Sequence, residues 1–219
     1  MVLTPGRSGS TFIVESISLT NSIRPFNDSL SMVHSLNDIN FNINTVDQLN
    51  FQPGNVWHSH NLNSLNFVDN NTELIISTRS IKEITVSFEL AKLTKIWHFK
   101  NNNSELNRAR KNNISKLTSF EISPVSFVNQ YNLMKNWYMA CREILETKKL
   151  HYKVIDYSEF ANNNEKIFDI LKISKNNLTD IVTKIPYNIE NIITNLHFLY
   201  GLVDLKNDSA YNLMTQKYE

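Results

Sequence analysis

Glycine, proline and cysteine are all scarce in this sequence. Its 219 residues include four glycines and five prolines, so each glycine marks a backbone position that asks for a reason. A single cysteine, Cys141, excludes a disulfide framework and any cysteine-based zinc cluster. No excess of one charge exists either. Lys and Arg total 22 and Asp and Glu 21, a net charge of +1, which gives no electrostatic reason to expect nucleic acid as a partner. No apolar run approaches the ~18–20 residues that span a bilayer. Residues Met1 to Gly9 lack the basic stretch and apolar core of a signal peptide. The expected location is cytoplasmic, with no membrane partner.

What is present is ordinary globular composition, with 41% hydrophobic and 20% charged residues. At about 100–200 residues per domain, a single domain over 1–219 is expected. An excess of asparagine is compositional background that blurs the loops.

The pattern along the chain alternates strands with helices. Val2-Leu3-Thr4 reads as the tail of a strand ending at Pro5-Gly6, and Ser10 to Thr20 as a helix. Residues 21–53 read as loops with one or two short helices, and Asn55 to His58 as a short strand. Glu73-Leu74-Ile75-Ile76-Ser77 is a continuous apolar run of the kind found in buried parallel strands. Helices are expected over Ser80–Phe99, Ser126–Lys148 and Glu159–Leu171, with a strand at His151–Tyr157. Further helical segments lie between Asn177 and Leu202, interrupted at Pro186. This alternation implies an α/β fold, a three-layer arrangement with a central, mainly parallel sheet.

The most informative segment is Thr4-Pro5-Gly6-Arg7-Ser8-Gly9-Ser10-Thr11, which holds two of the four glycines. A strand, a glycine-containing turn and a helix N-terminus together form an anion site, because free backbone N–H groups and the helix dipole favour negative charge. Ser8, Ser10 and Thr11 add hydroxyls and Arg7 a charged fork. The nucleoside triphosphatase signature GxxxxGK[ST] is absent. A plain Ser/Gly turn with an N-capping hydroxyl is the alternative.

This segment resembles the 5′-phosphosulfate loop of sulfotransferases that use 3′-phosphoadenosine 5′-phosphosulfate (PAPS). That loop reads approximately T-x-P-[KR]-S-G-[ST]-T; here Gly6 is inserted between Pro5 and Arg7. A second motif, Thr78-Arg79-Ser80-Ile81-Lys82-Glu83-Ile84-Thr85-Val86-Ser87, resembles the family's 3′-phosphate motif, an Arg just past a strand and a Ser eight residues later. Open α/β sheets place ligands at strand C-termini, where Arg79 and Ser87 can converge. The alternative is that Arg79 pairs with an acidic neighbour and Ser87 is incidental. Val154-Ile155-Asp156-Tyr157-Ser158-Glu159-Phe160 is similar to a later family element, V-x-Y-E-x-L.

The resemblance implies a P-loop nucleotide-kinase-like fold and sulfuryl transfer from PAPS to a hydroxyl or amine. It implies a nucleotide held by Arg7, Ser8, Gly9, Ser10, Thr11, Arg79 and Ser87, with no metal. Arg7 would stabilise charge on the bridging oxygen and 5′-phosphate. For the base, Trp57-His58-Ser59-His60-Asn61-Leu62 is similar to the family's K-T-H-L segment, which puts His60 in the catalytic position and His58 in place of the Lys. A metal pair lacks a convincing third ligand, and a structural role for both rings stays open. Glu15, four residues after Thr11, is a rival base or a solvated carboxylate. His34 is assigned nothing.

Residues 100–116 carry Lys100, Arg108, Arg110, Lys111 and Lys116 against Glu105, so 100–123 is a polar insertion or a basic lid. Such a lid suits an anionic acceptor such as an acidic sugar. The family's C-terminal R-K-G motif is not visible. A small nucleotide-dependent kinase of the same fold, or a non-catalytic nucleotide-binding module, are the competing functions.

Overall fold

The computed structural model describes residues 1–21, 25–27, 56–96, 99–100, 119–163, 165–173, 182–183, 189–203 and 208–215. Its centre is a five-stranded sheet of β1 (Val2–Leu3), β2 (Pro25–Asn27), β3 (Val56–Ser59), β4 (Leu74–Thr78) and β6 (Tyr152–Asp156) in the order β2-β3-β1-β4-β6. Every pairing in it is parallel. The central strand is the shortest. Val2 lies opposite His58 on one side and Ile75 on the other, and Leu3 opposite Ser59 and Ile76. Thr4 extends this register by donating its N–H to the Ser59 carbonyl (3.1 Å).

Helices cover both faces, which is why the β4 sequence is apolar without alternation. All five β4 residues are buried. On one face Val2, Ile75 and Ile155 pack with Phe12, Ile13 and Val14 of α1 (Ser10–Asn21) and Ile167 and Phe168 of α4 (Lys166–Leu171). On the other, Leu3, Leu74 and Ile76 pack with Ile81 and Ile84 of α2 (Ile81–Thr94) and with Tyr131, Met134, Tyr138 and Leu145 of α3 (Pro124–Lys148). Ala210 and Met214 of α7 (Ala210–Thr215) complete that layer. The result is a three-layer α/β fold. Each such Leu or Ile contributes roughly 1.5–3 kcal/mol by leaving water.

The route of the chain separates the two faces of the sheet at one place. From β1 it passes to α1 on one face, and from β4 to α2 on the opposite face. The C-terminal ends of these two neighbouring strands therefore diverge, and open parallel sheets bind ligands at such a divergence.

Several elements differ from their sequence expectation. The helix expected over Ser80–Phe99 ends at Thr94, where Lys95 turns left-handed (φ 59°). Phe99–Lys100 is instead β5, paired antiparallel with β7 (Val182–Thr183), inside the stretch expected to be helical from Asn177. The rest of that stretch supplies only α5 (Ile189–Ile192) and α6 (Leu196–Gly201). The helix expected from Glu159 is confined to α4. Asp156 caps a 3₁₀ turn, Tyr157–Glu159, and Asn163 accepts the Glu165 N–H (3.0 Å) through its side chain. Short polar side chains that bond nearby backbone in this way compete with helix formation. Residues 25–27, expected within loops, form the edge strand β2. Pro25 is tolerated there because a strand's first residue at a sheet edge needs no ladder N–H. Among the described residues no helix is long and apolar enough to cross a membrane.

Candidate functional site

The segment between β1 and α1 turns by adopting a backbone that L-residues avoid. Gly6 (φ 98°), Arg7 (φ 60°) and Gly9 (φ 83°) all have positive φ, with Ser8 between the last two on the ordinary side. Alternation of hand turns successive N–H groups toward one concavity, the arrangement that binds phosphate. The α1 N-terminus follows at once, with Gly9 O accepting from Ile13 N (3.2 Å) as the helix begins. Its first amides have no intrahelical partner and add a positive dipole end.

The two glycines serve different ends. A Cβ on Gly6 would meet only the His60 ring, at 3.8 Å, so glycine is needed there for the backbone alone. A Cβ on Gly9 would lie 2.5 Å from Tyr157 Cδ2 and 3.0 Å from Phe160 Cζ. Gly9 therefore also admits the aromatic pair at the end of β6. Phe160 stacks on Phe12 (5.4 Å between centroids) and meets Tyr157 edge-on (5.3 Å), so the wall beside Gly9 is rigid.

The two motifs meet across the crevice. Arg7 Nε donates to Ser87 Oγ (3.1 Å), joining residues far apart in sequence, and Arg79 reaches the Arg7 carbonyl through Nη1 (3.4 Å). Arg79 is held from two further directions. Its Nε pairs with Glu83 (2.8 Å), and its guanidinium lies 4.6 Å from the Tyr157 ring centre. The Glu83 pair is the acidic partner that the sequence left as an alternative. It engages the Nε edge, while Nη1 is directed at the loop, so the contact orients the guanidinium as well as partnering it. Burial raises the Tyr157 hydroxyl pKa, and the nearby Arg79 charge opposes that rise.

The N-terminus of α2 does not offer a second anion site. Ser80 caps it, and the carboxylate of Asp208 accepts from Lys82 N (2.8 Å) and from the Ser80 hydroxyl (2.5 Å).

The serines of the loop face inward. Ser8 is fully buried, its hydroxyl joined to Thr4 Oγ1 (2.5 Å) and Ser77 Oγ (3.0 Å). Ser10 is 3% exposed, and its hydroxyl meets His58 Nε2 at 2.9 Å. Thr11 lies half-buried on the first turn of α1.

His58 and His60 sit together at the end of β3, their rings edge to face at 4.6 Å. His60 Nδ1 lies 2.9 Å from the Thr4 carbonyl. A carbonyl oxygen only accepts, so Nδ1 carries the proton, and a neutral ring then has its lone pair on Nε2. That is the form a proton acceptor needs. Trp137 Nε1 fixes the same residue by donating to the His60 carbonyl (3.0 Å). His58, by contrast, is 5% exposed and engaged with Ser10, a placement suited to bracing the loop. Glu15 is half-buried in α1, beyond the loop.

Sequence reasoning did not assign Thr4, Ser77, Tyr138, Tyr157 or Phe160. The signal for the first two is hydroxyl residues ending the apolar runs of neighbouring strands. Tyr157 and Phe160 belong to the segment similar to V-x-Y-E-x-L, a likeness that carries no role for their rings. His34, Arg108, Arg110, Lys111 and Lys116 lie outside the described residues, and with them most of the 100–123 insertion. Among the described residues, no group of three or more His, Cys, Asp or Glu side chains is placed to hold a metal ion. The chain matches no family model, no curated protein and no solved structure.

Proposed function

We propose that this chain is a sulfotransferase of the P-loop nucleotide-kinase-like fold, moving a sulfuryl group from PAPS to a hydroxyl or amine. One observation carries the reading. Arg7 of the first motif touches both Ser87 and Arg79 of the second, at the divergence of β1 and β4. The donor set there fits a nucleotide with phosphates at both ends. A loop of alternating hand and a helix N-terminus suit the 5′ side, and a guanidinium with a hydroxyl suits the 3′ side.

PAPS supplies the sulfuryl group. In this reading Arg7 steadies the negative charge that grows on the bridging oxygen and 5′-phosphate as the sulfur–oxygen bond breaks. His60 Nε2 accepts the proton of the acceptor hydroxyl or amine as its new bond to sulfur forms. A kinase of the same fold needs an acidic metal holder at a strand end. β4 ends in Thr78, followed by Arg79. Asp156, at the end of β6, accepts from Ser158 N (2.9 Å) and from the Thr78 hydroxyl (3.0 Å), so it serves as a cap. That placement supports the sulfotransferase over the kinase.

Titration calorimetry with 3′-phosphoadenosine 5′-phosphate, the desulfated product, tests the reading. Saturable heat at micromolar concentration is expected; none at high micromolar concentration overturns it. Arg79→Ala should weaken this nucleotide about 10–100-fold, the scale of one charge-assisted contact. Adenosine 5′-phosphate, which lacks the 3′ group, should lose little; equal losses for both nucleotides mean that Arg79 does not read the 3′-phosphate. His60→Ala should lower kcat by about 10²–10⁴ while calorimetric affinity is kept. Full activity would remove His60 as the base and leave the nucleotide site intact.

A further inference from the structure

The hydroxyl groups beneath the loop form a directed chain. Gly6 N–H donates to Thr4 Oγ1 (3.2 Å), and Thr4 Oγ1 lies 2.5 Å from Ser8 Oγ. Ser8 Oγ donates to Ser77 Oγ (3.0 Å), and Ser77 Oγ donates to the Ser8 carbonyl (2.8 Å). Thr4 therefore donates to Ser8, since Ser8's one proton is committed to Ser77. Each hydroxyl then gives one proton and accepts one. Thr4, Ser8 and Ser77 are all 0% exposed, so a ligand lying on the loop does not meet these groups. The fully buried Tyr138 of α3 lies against the whole group: its hydroxyl donates to the Ser77 carbonyl (2.9 Å) and interacts with the side chains of Thr4 and Ser8.

We infer that Ser77 is a positioning residue for the loop, setting its grip on the 5′ end of the nucleotide without touching it. The inference rests on the phosphosulfate-loop reading above and deepens it. Ser8 is the residue between left-handed Arg7 and left-handed Gly9. An arginine has no intrinsic preference for that conformation, so the hold must come from outside the loop. Ser77 supplies it twice, accepting from the Ser8 side chain and donating to the Ser8 backbone. It stands on β4, the fully buried strand beside β1, so the hold is rigid. With Ser8 fixed at both points, the neighbouring amides and the Arg7 side chain are aimed into the crevice. Arg79 and Ser87 both touch Arg7, but Arg79 is also held by Glu83 (2.8 Å) and by the Tyr157 ring, so its placement rests only in part on this chain.

Calorimetry on the full chain with two nucleotides separates a positioning role from a merely structural one. Below the melting transition, Ser77→Ala should weaken 3′-phosphoadenosine 5′-phosphate about tenfold, the scale of one lost buried partner. Adenosine 3′-phosphate, which has no 5′-phosphate, should lose clearly less, since Arg79 keeps its Glu83 and Tyr157 contacts when the loop loosens. Ser8→Ala, which breaks the same chain from the other side, should show the same selectivity, and Ser77→Thr, which keeps the hydroxyl, should restore it. Equal losses for both nucleotides, or no loss for either, overturn the positioning role. A wild-type chain that binds neither nucleotide overturns the loop reading itself.

Discussion

Gly9→Ala lowers the stability of the fold by about 3 kcal/mol, whereas Gly6→Ala lowers it by about 1 kcal/mol. Both positions have positive φ, 83° and 98°, and a side chain in left-handed backbone costs roughly 1–2 kcal/mol at either. Only Gly9 adds a collision. Its Cβ would sit 2.5 Å from Tyr157 Cδ2, and the rings have little room to retreat. Phe160 is 1% exposed and stacked on Phe12, and Tyr157 is held between Phe160 and the Arg79 guanidinium. Overpacking of this kind adds about 1–3 kcal/mol. For a chain of this size the Gly9 variant should melt roughly 6–12 °C lower. Urea or thermal unfolding of the two variants side by side measures the difference. Equal losses would show that the Tyr157 wall yields freely and does not fix the loop.

The fold was legible where burial is two-sided. Leu74-Ile75-Ile76 announced a buried parallel strand because helices cover both of its faces, and nothing in its environment competes with that pattern. The alternation of strands and helices then carried the α/β class. What was not legible depended on short-range capping or on partners distant in sequence. The end of α2 at Thr94 rests on a left-handed lysine, Lys95, a residue without a marked preference for that role. Val182–Thr183 pairs with Phe99–Lys100, and a two-residue strand has no period to read.

The candidate site was legible in its charged members and misread in its hydroxyls. Arg7 lies between the two motifs, its side chain on Ser87 and its carbonyl on Arg79, a contact that the motif spacing did not announce. Ser8 and Ser10 were expected to aim their side chains at the ligand; the structure turns both hydroxyls inward, to Ser77 and to His58. A loop with three hydroxyl residues flanking a glycine does not declare which face each takes, because that choice is made by neighbouring strands. Ser77 and His58 lie far along the chain and meet the loop only through the parallel register of β1 with β4 and β3.

Arg7→Gly separates function from stability, and this is the sharpest test of the loop. Arg7 adopts φ 60°, and glycine relieves about 1 kcal/mol of that conformation. The variant also loses the Nε bond to Ser87, worth about 0.5–1.5 kcal/mol. The two effects offset, so unfolding stability should stay within about 1 kcal/mol of the parent. Arg7→Ala keeps the backbone penalty and loses the same bond, so it should be the less stable of the two by about 1 kcal/mol. Under the proposed sulfuryl transfer, both should lose kcat by about 10²–10³, the scale of removing one donor from a developing negative charge. Arg7→Lys keeps a point charge without the fork and should fall between them and the parent. Strain retained at an arginine where glycine fits the backbone better indicates that the side chain, not the turn, is what the position requires. An Arg7→Gly chain that kept the parent's rate in the proposed sulfuryl transfer would remove Arg7 from that chemistry and leave it a strut between the loop and Ser87.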